Sequence, residues 1–267
     1  MLRYCVTALC FALSVQPVFA HEFWISPDRY QISPGEQVAT SFRVGENLKG
    51  AAFSYIERNA TRFDLVRGDV VVPVAARSGD NPAFEGALED EGLWIVVHET
   101  GDSTLTYSEA AKFEAFVAHK AFADTLAAHA ARGLPEAGFK ESYRRFAKAL
   151  IAVGDGAGQD RPVGLRTEIV ALANPYTDDL GAGLPVQVLF ENEPRANAQV
   201  ELFAKDPSGV VTVTLHQTDE DGIARLPVLP GTEYLVDAVK MVALDNDDPE
   251  AGPVWKSLWA ALTFKTP

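Results

Sequence analysis

Between Arg29 and His98 the chain never runs far without a turn. Pro34-Gly35, Gly68-Asp69 and Gly79-Asp80 punctuate the runs "YQISPGEQVATSFRV", "AAFSYIERNATRFDLVRGDVVVPVAA" and "FEGALEDEGLWIVVHET". Turn residues at this spacing leave no room for a long helix, while alternating residues between them suit short strands with one face buried. The reading is an antiparallel β-module over residues 21–107, closing near "GDSTLTY" at 101–107. Residues 165–267 repeat the pattern in "RTEIVAL", "LPVQVLFE", "AQVELFAK", "GVVTVTLHQT", "EYLVDAV" and "SLWAALTF".

The stretch between these halves reads differently. Ser108, a candidate N-cap with Glu109 behind it, opens a run without Gly or Pro up to Gly133, in which Phe113, Phe116, Val117, Phe122 and Leu126 recur at helical spacing. A second helix is expected over 136–153, with Phe139, Tyr143, Phe146, Leu150 and Ile151 on one side and a basic cluster of Lys140, Arg144, Arg145 and Lys148. That cluster reads either as an anion site or as cations paired with nearby acids. "VGDGAGQDRP" then reads as a linker. The expected fold class is mainly β: two β-sandwich modules, Ig-like or transthyretin-like, with an inserted α-helical hairpin. Its divisions are 1–20, 21–107, 108–152 (hairpin), 153–164 (linker) and 165–267.

Residues 1–20 have the form of an export signal: Arg3, an apolar run from Val6 to Val15, and Val18-Phe19-Ala20 before a cut after Ala20. The expectation is a periplasmic protein without direct membrane insertion. Both cysteines, Cys5 and Cys10, fall inside that signal, so thiolate ligands and disulfides are not expected in the processed chain. The balance of 37 acidic against 23 basic residues, a net charge of −14, argues against nucleic acid as a partner.

Five histidines remain as imidazole donors. After cleavage His21 would carry both a free α-amine and an imidazole, and the two can chelate one metal ion. Their ordinary pKa values, about 7.7–8.0 and about 6.5, make both protons displaceable near neutrality. His98 ends the apolar strand "LWIVVHET", sharing a face with Trp94 and Val96, and is the first candidate partner. His119 is the second, beside Phe116 and Phe122. His129, ten residues further along, would not share a helix face with His119; it and His216 read as surface residues. Phe23 and Trp24 read as anchors for the first strand. No Gly-x-Ser-x-Gly elbow and no processed cysteine offers a nucleophile, so no catalytic residue is assigned and a non-enzyme is expected.

Several of these features carry a resemblance. With "AHEFW" at 20–24, Pro34-Gly35-Glu36, the hairpin after "STLTY" and "SYRRFAKAL" at 142–150, the chain resembles an exported bacterial family of unknown function commonly described as a nickel-uptake or cobalt/nickel transport component. "TDEDGIARLPVLPGTEYLVDA" resembles the transthyretin-like modules of carboxypeptidase regulatory domains. The first resemblance implies a periplasmic transition-metal role, with nickel or cobalt bound and an inner-membrane metal transporter as partner, while the all-nitrogen set of amine and imidazoles suits Cu(II) or Ni(II). His21 after the signal is also similar to the amino-terminal histidine brace of copper proteins, although no segment matches the second histidine or axial tyrosine of the oxidative polysaccharide-cleaving enzymes. Three readings stand: a metal-binding or metal-delivery protein using His21, His98 and His119; a non-catalytic β-sandwich adaptor; and a mononuclear copper oxidase.

Overall fold

The computed structural model describes residues 22–267. The first half forms β1 (Glu22–Pro27), β2 (Gln31–Ile32), β3 (Gln37–Glu46), β4 (Lys49–Phe53), β5 (Ala60–Arg67), β6 (Val70–Pro73), β7 (Phe84–Ala87), β8 (Gly92–Thr100) and β9 (Ser103–Tyr107). Two short helices follow, α1 (Ala110–His119) and α2 (Thr125–Ala131), and then the long strand β10 (Phe139–Val153). The remainder comprises β11 (Thr167–Ala171), β12 (Leu184–Phe190), β13 (Glu193–Pro194), β14 (Gln199–Lys205), β15 (Val211–Gln217), β16 (Ile223–Leu226), β17 (Glu233–Ala243) and β18 (Pro253–Lys265).

The protein is mainly β, and its sandwich organisation has three layers. A central sheet runs β15-β14-β17-β18-β10-β8-β5-β6, with β2 and β9 also on β10. One face is covered by the sheet of β1, β3, β4 and β7, the other by the sheet of β11, β12, β13 and β16. Side-chain alternation builds both interfaces from the same strands. On β8, Leu93, Ile95 and Val97 join the core under β11 and β12, whereas Trp94 and Val96 face β1 and β3. On β10, Phe146 and Leu150 take the first side and Ala147, Ala149 and Ile151 the second. The two expected sandwiches therefore share their middle sheet, joined where β10 pairs in parallel with β18.

The helix expected over 136–153 is corrected to strand β10. Phe139, Tyr143, Phe146 and Leu150 happen to match a helical period, but a strand buried on both faces shows an almost unbroken apolar run that periodicity does not separate from a helix. The hairpin exists, but both its helices come from the single helix expected over 108–132. The chain reverses at Ala121 and Asp124, both with positive φ (51° and 64°). Glu109, not Ser108, takes the N-cap position of α1. The stretch read as a linker is pinned: Asp160 accepts hydrogen bonds from the Arg161 and Ala171 backbones, both at 2.8 Å, and Asn174 donates to the carbonyls of Gly156 and Gly158.

The helices cover an aromatic corner formed by Tyr107, Phe139, Trp255 and Trp259. Glu141 is buried beside it at 1 % exposure. The Tyr107 hydroxyl donates to its Oε2 at 2.7 Å and the Ser257 hydroxyl to its Oε1. Burial pushes this carboxyl up from its ordinary 4.5 to about 7, against the two hydroxyls, which favour the charged form. The folded state thus holds a proton that the unfolded chain releases, and the associated stability is full below about pH 4.5 and lost as pH rises through about 7. Glu141→Gln should remove that slope. Denaturant midpoints measured between about pH 5 and 8 are expected to fall for the parent relative to the variant; parallel curves would contradict this assignment.

Candidate functional site

The described part of β1 begins with a carboxylate that is not at the surface. Glu22 is 7 % exposed, because pairing with β3 and the burial of Phe23 and Trp24 fasten the strand into the core. Its Oε1 lies 4.0 Å from Nζ of Lys120, in the chain reversal after α1. Lys120 is itself buried and donates to Oε1 of Glu201 at 2.7 Å and Oδ2 of Asp237 at 3.1 Å, with its ammonium 4.9 Å from the Trp259 ring centroid. Glu201 and Asp237 are direct cross-strand partners on β14 and β17. Two like charges in register repel, and the ammonium between them is what makes the arrangement tenable. His119 Nε2 stands 3.4 Å from the same Glu201 oxygen, and Gln199 donates to both Glu201 and the His119 carbonyl. Arg145 stacks over Tyr143 and Phe23, its guanidinium centre 4.8 and 5.7 Å from their ring centroids.

Burial dominates the electrostatics here. It raises Glu22 to about 7, with Asp237 adding to the shift and Lys120 opposing it. It raises Asp237 to about 6 despite Lys120. Burial works against the charge of Glu201 too, but hydrogen bonds from His119 and Lys120 hold that carboxyl below its ordinary range. The cluster is therefore a set of carboxylates crowded around few cations, placed next in sequence to His21.

His98 packs against Phe23, the next residue of the same strand. Its ring is 4 % exposed and stacks on Phe42 at 4.1 Å, with Phe63, Phe23 and Tyr55 at 5.5, 5.7 and 6.4 Å. Burial pushes its pKa down to about 4, against a hydrogen bond to the Arg62 backbone, so the imidazole is neutral near pH 7. Its Nδ1 is buried without a hydrogen-bond partner among the described residues. Buried polar atoms are nearly always satisfied, and an orphaned one calls for a physical reason.

Of the expected metal ligands, His21 lies outside the described residues. His98 belongs to the aromatic cage around Phe23, and His119 to the charge cluster beside Glu22. Among the described residues no group of three or more His, Asp or Glu is spaced to hold a metal ion. His129 is a correction, since it is buried at 6 % exposure; its Nδ1 accepts from Trp255 Nε1 at 2.9 Å and its Nε2 donates to the Pro135 carbonyl at 2.9 Å. His216 is half-buried on β15, with Nε2 2.8 Å from the Thr214 hydroxyl. Lys120, Glu201 and Asp237 were not legible as a group, although a single acid inside each of "VELFA" and "LVDAV" was a readable signal, because unpaired carboxylates are rarely buried.

Among the described residues no helix is long and apolar enough to cross a membrane. No curated relative matches the chain. Two solved structures are similar over 92 % of it: a tetra-tandem repeat in the extending region of a large adhesion protein, at 11 % identity and TM-score 0.21, and the D0-D1 domain of intimin, at 14 % identity and TM-score 0.22. The chain spans 49 % of the first and 98 % of the second. Likenesses this slight carry no argument about function. The sequence match is of a different order: over residues 18–241 the chain belongs to the family described as a domain of unknown function, DUF4198.

Proposed function

We propose that this is an exported, periplasmic transition-metal-binding protein, accessory to nickel, cobalt or copper uptake or delivery, whose site is assembled at the start of β1. His21, exposed by cleavage after Ala20, would supply amine and imidazole; His98 would complete the set, with His119 as an optional ligand. The observation that carries this reading is the orphaned Nδ1 of His98: a neutral imidazole nitrogen, buried, with its ring against Phe23, which is two residues from His21. When Nε2 carries the proton, Nδ1 offers a lone pair, the donor that Cu(II) and Ni(II) sites use. The carboxylate cluster beside Glu22 adds an environment that favours a cation. Delivery to an inner-membrane transporter follows from the nickel-transport resemblance, and a transthyretin-like C-terminal module from the resemblance carried by residues 218–238.

Calorimetric titration of the chain beginning at His21 tests the reading. About one equivalent of Cu(II) or Ni(II) is expected to bind, and His98→Phe, which keeps an aromatic ring in the cage, should weaken binding by about tenfold or more. Unchanged affinity in His98→Phe would remove His98 from the site.

The adaptor reading has one observation in its favour. Strand β15 is an edge of the central sheet, carries no charged residue, and leaves Val213 and Leu215 exposed at 40 % and 61 %. Open apolar edges of this kind accept a strand from another chain. The same titration separates the readings: tight stoichiometric metal binding lost in His21→Ala would rule out a protein that is only an adaptor.

A further inference from the structure

A cleft of about 540 Å³ opens between the outer sheet and the ends of β14, β17 and β18, away from the His98 cage. Its charged lining is Arg29, Arg43, Lys205 and Lys265 against Asp28 and Glu233. In a chain whose net charge is −14, a recess with more cations than anions runs against the background.

The pairing inside the cleft singles out two of the four cations. Arg29 is engaged by Glu36, with Asp28 at 3.8 Å. Lys205, Glu233 and Lys265 lie in a row across three paired strands. Glu233 accepts from Lys205 Nζ at 3.0 Å through one oxygen and from the Tyr30 hydroxyl at 3.1 Å through the other, so it is already occupied. Arg43, on β3 opposite Trp24, gives one guanidinium N–H to the Gly50 carbonyl at 2.9 Å. Among the described residues neither Arg43 nor Lys265 forms an ion pair with a carboxylate. These two cations stand on different walls, Arg43 on the outer sheet and Lys265 at the end of the central sheet. Two separated positive charges match a ligand whose two negative charges are also separated, and the planar guanidinium fits a carboxylate through paired hydrogen bonds.

We propose that this cleft binds a small organic dianion bearing two carboxylates, one held by Arg43 and the other by Lys265. The site is independent of the metal-binding reading.

Titration calorimetry on metal-free protein, with succinate as probe and inorganic phosphate as a compact dianion at matched ionic strength, tests it. Succinate should bind saturably, at least about tenfold more tightly than phosphate. Arg43→Gln and Lys265→Gln should each weaken succinate by about tenfold, while His98→Phe leaves it unchanged. Lys265 is exposed, so its replacement tests binding without touching the core. Absence of saturable succinate binding, equal affinity for phosphate, or parental affinity in the Arg43→Gln, Lys265→Gln double variant would overturn the proposal.

Discussion

Lys120→Met is expected to lower the unfolding free energy by about 3–5 kcal/mol, the usual cost of leaving buried charges without their partner. The magnitude follows from geometry. The Lys120 ammonium is buried and lies between Glu201 and Asp237, which sit opposite each other in register, with Glu22 at 4.0 Å. Methionine fills similar volume but leaves those carboxylates to repel one another in a desolvated site. Replacing the acids as well should reverse much of the effect, since exchanging a whole buried ion cluster for neutral groups is often close to neutral. The triple variant Lys120→Met, Glu201→Gln, Asp237→Asn is therefore expected to be markedly more stable than Lys120→Met alone. Denaturant unfolding of both variants checks this, and a single-variant loss below about 1 kcal/mol would show that the ammonium does not hold the acids together.

Lys148→Met should be as costly, about 3–5 kcal/mol, for the same reason at a second place. Lys148 is 1 % exposed and reaches Asp160 at 2.7 Å, Glu168 at 3.0 Å and the Arg161 carbonyl at 3.1 Å. Here the consequence is also local. Asp160 holds the Arg161 and Ala171 amides, and Glu168 holds those of Val163 and Leu165, so the triad ties residues 154–164 to the face of the central sheet. Amide exchange should accelerate at Val163 and Ala171 in Lys148→Met more than in Lys120→Met. Equal acceleration in the two variants would mean that the connection is held by something else.

The β character of both halves was legible because turn residues and side-chain alternation are local signals. The fates of Trp94, Val96 and His98 show this well: alternation alone placed them on one face, and that face is buried against β1 and β3. Strand β10 was not legible, since a residue buried on both faces loses the alternation that marks a strand. Lys148 and Arg144 add to the difficulty, because long basic side chains favour a helical reading until their partners, Asp160, Glu168 and Glu99, are known. Those partners are distant in sequence, and no local pattern announces them. The same holds for the site: Glu22, Lys120, Glu201 and Asp237 meet only because β1, the chain reversal after α1, β14 and β17 converge. Phe23 and Trp24 were readable as anchors, and at 7 % and 1 % exposure they are buried in the core.

His21 has two donor groups only when nothing precedes it. Titrating Cu(II) into the chain that begins at His21, and into the same chain with a single residue added before it, separates a chelating terminus from an incidental histidine. About one equivalent is expected to bind in the first case, and at least about a hundredfold more weakly in the second, because the extra residue converts the α-amine into an amide. Equal affinity in the two chains would mean that the His21 α-amine is not a ligand.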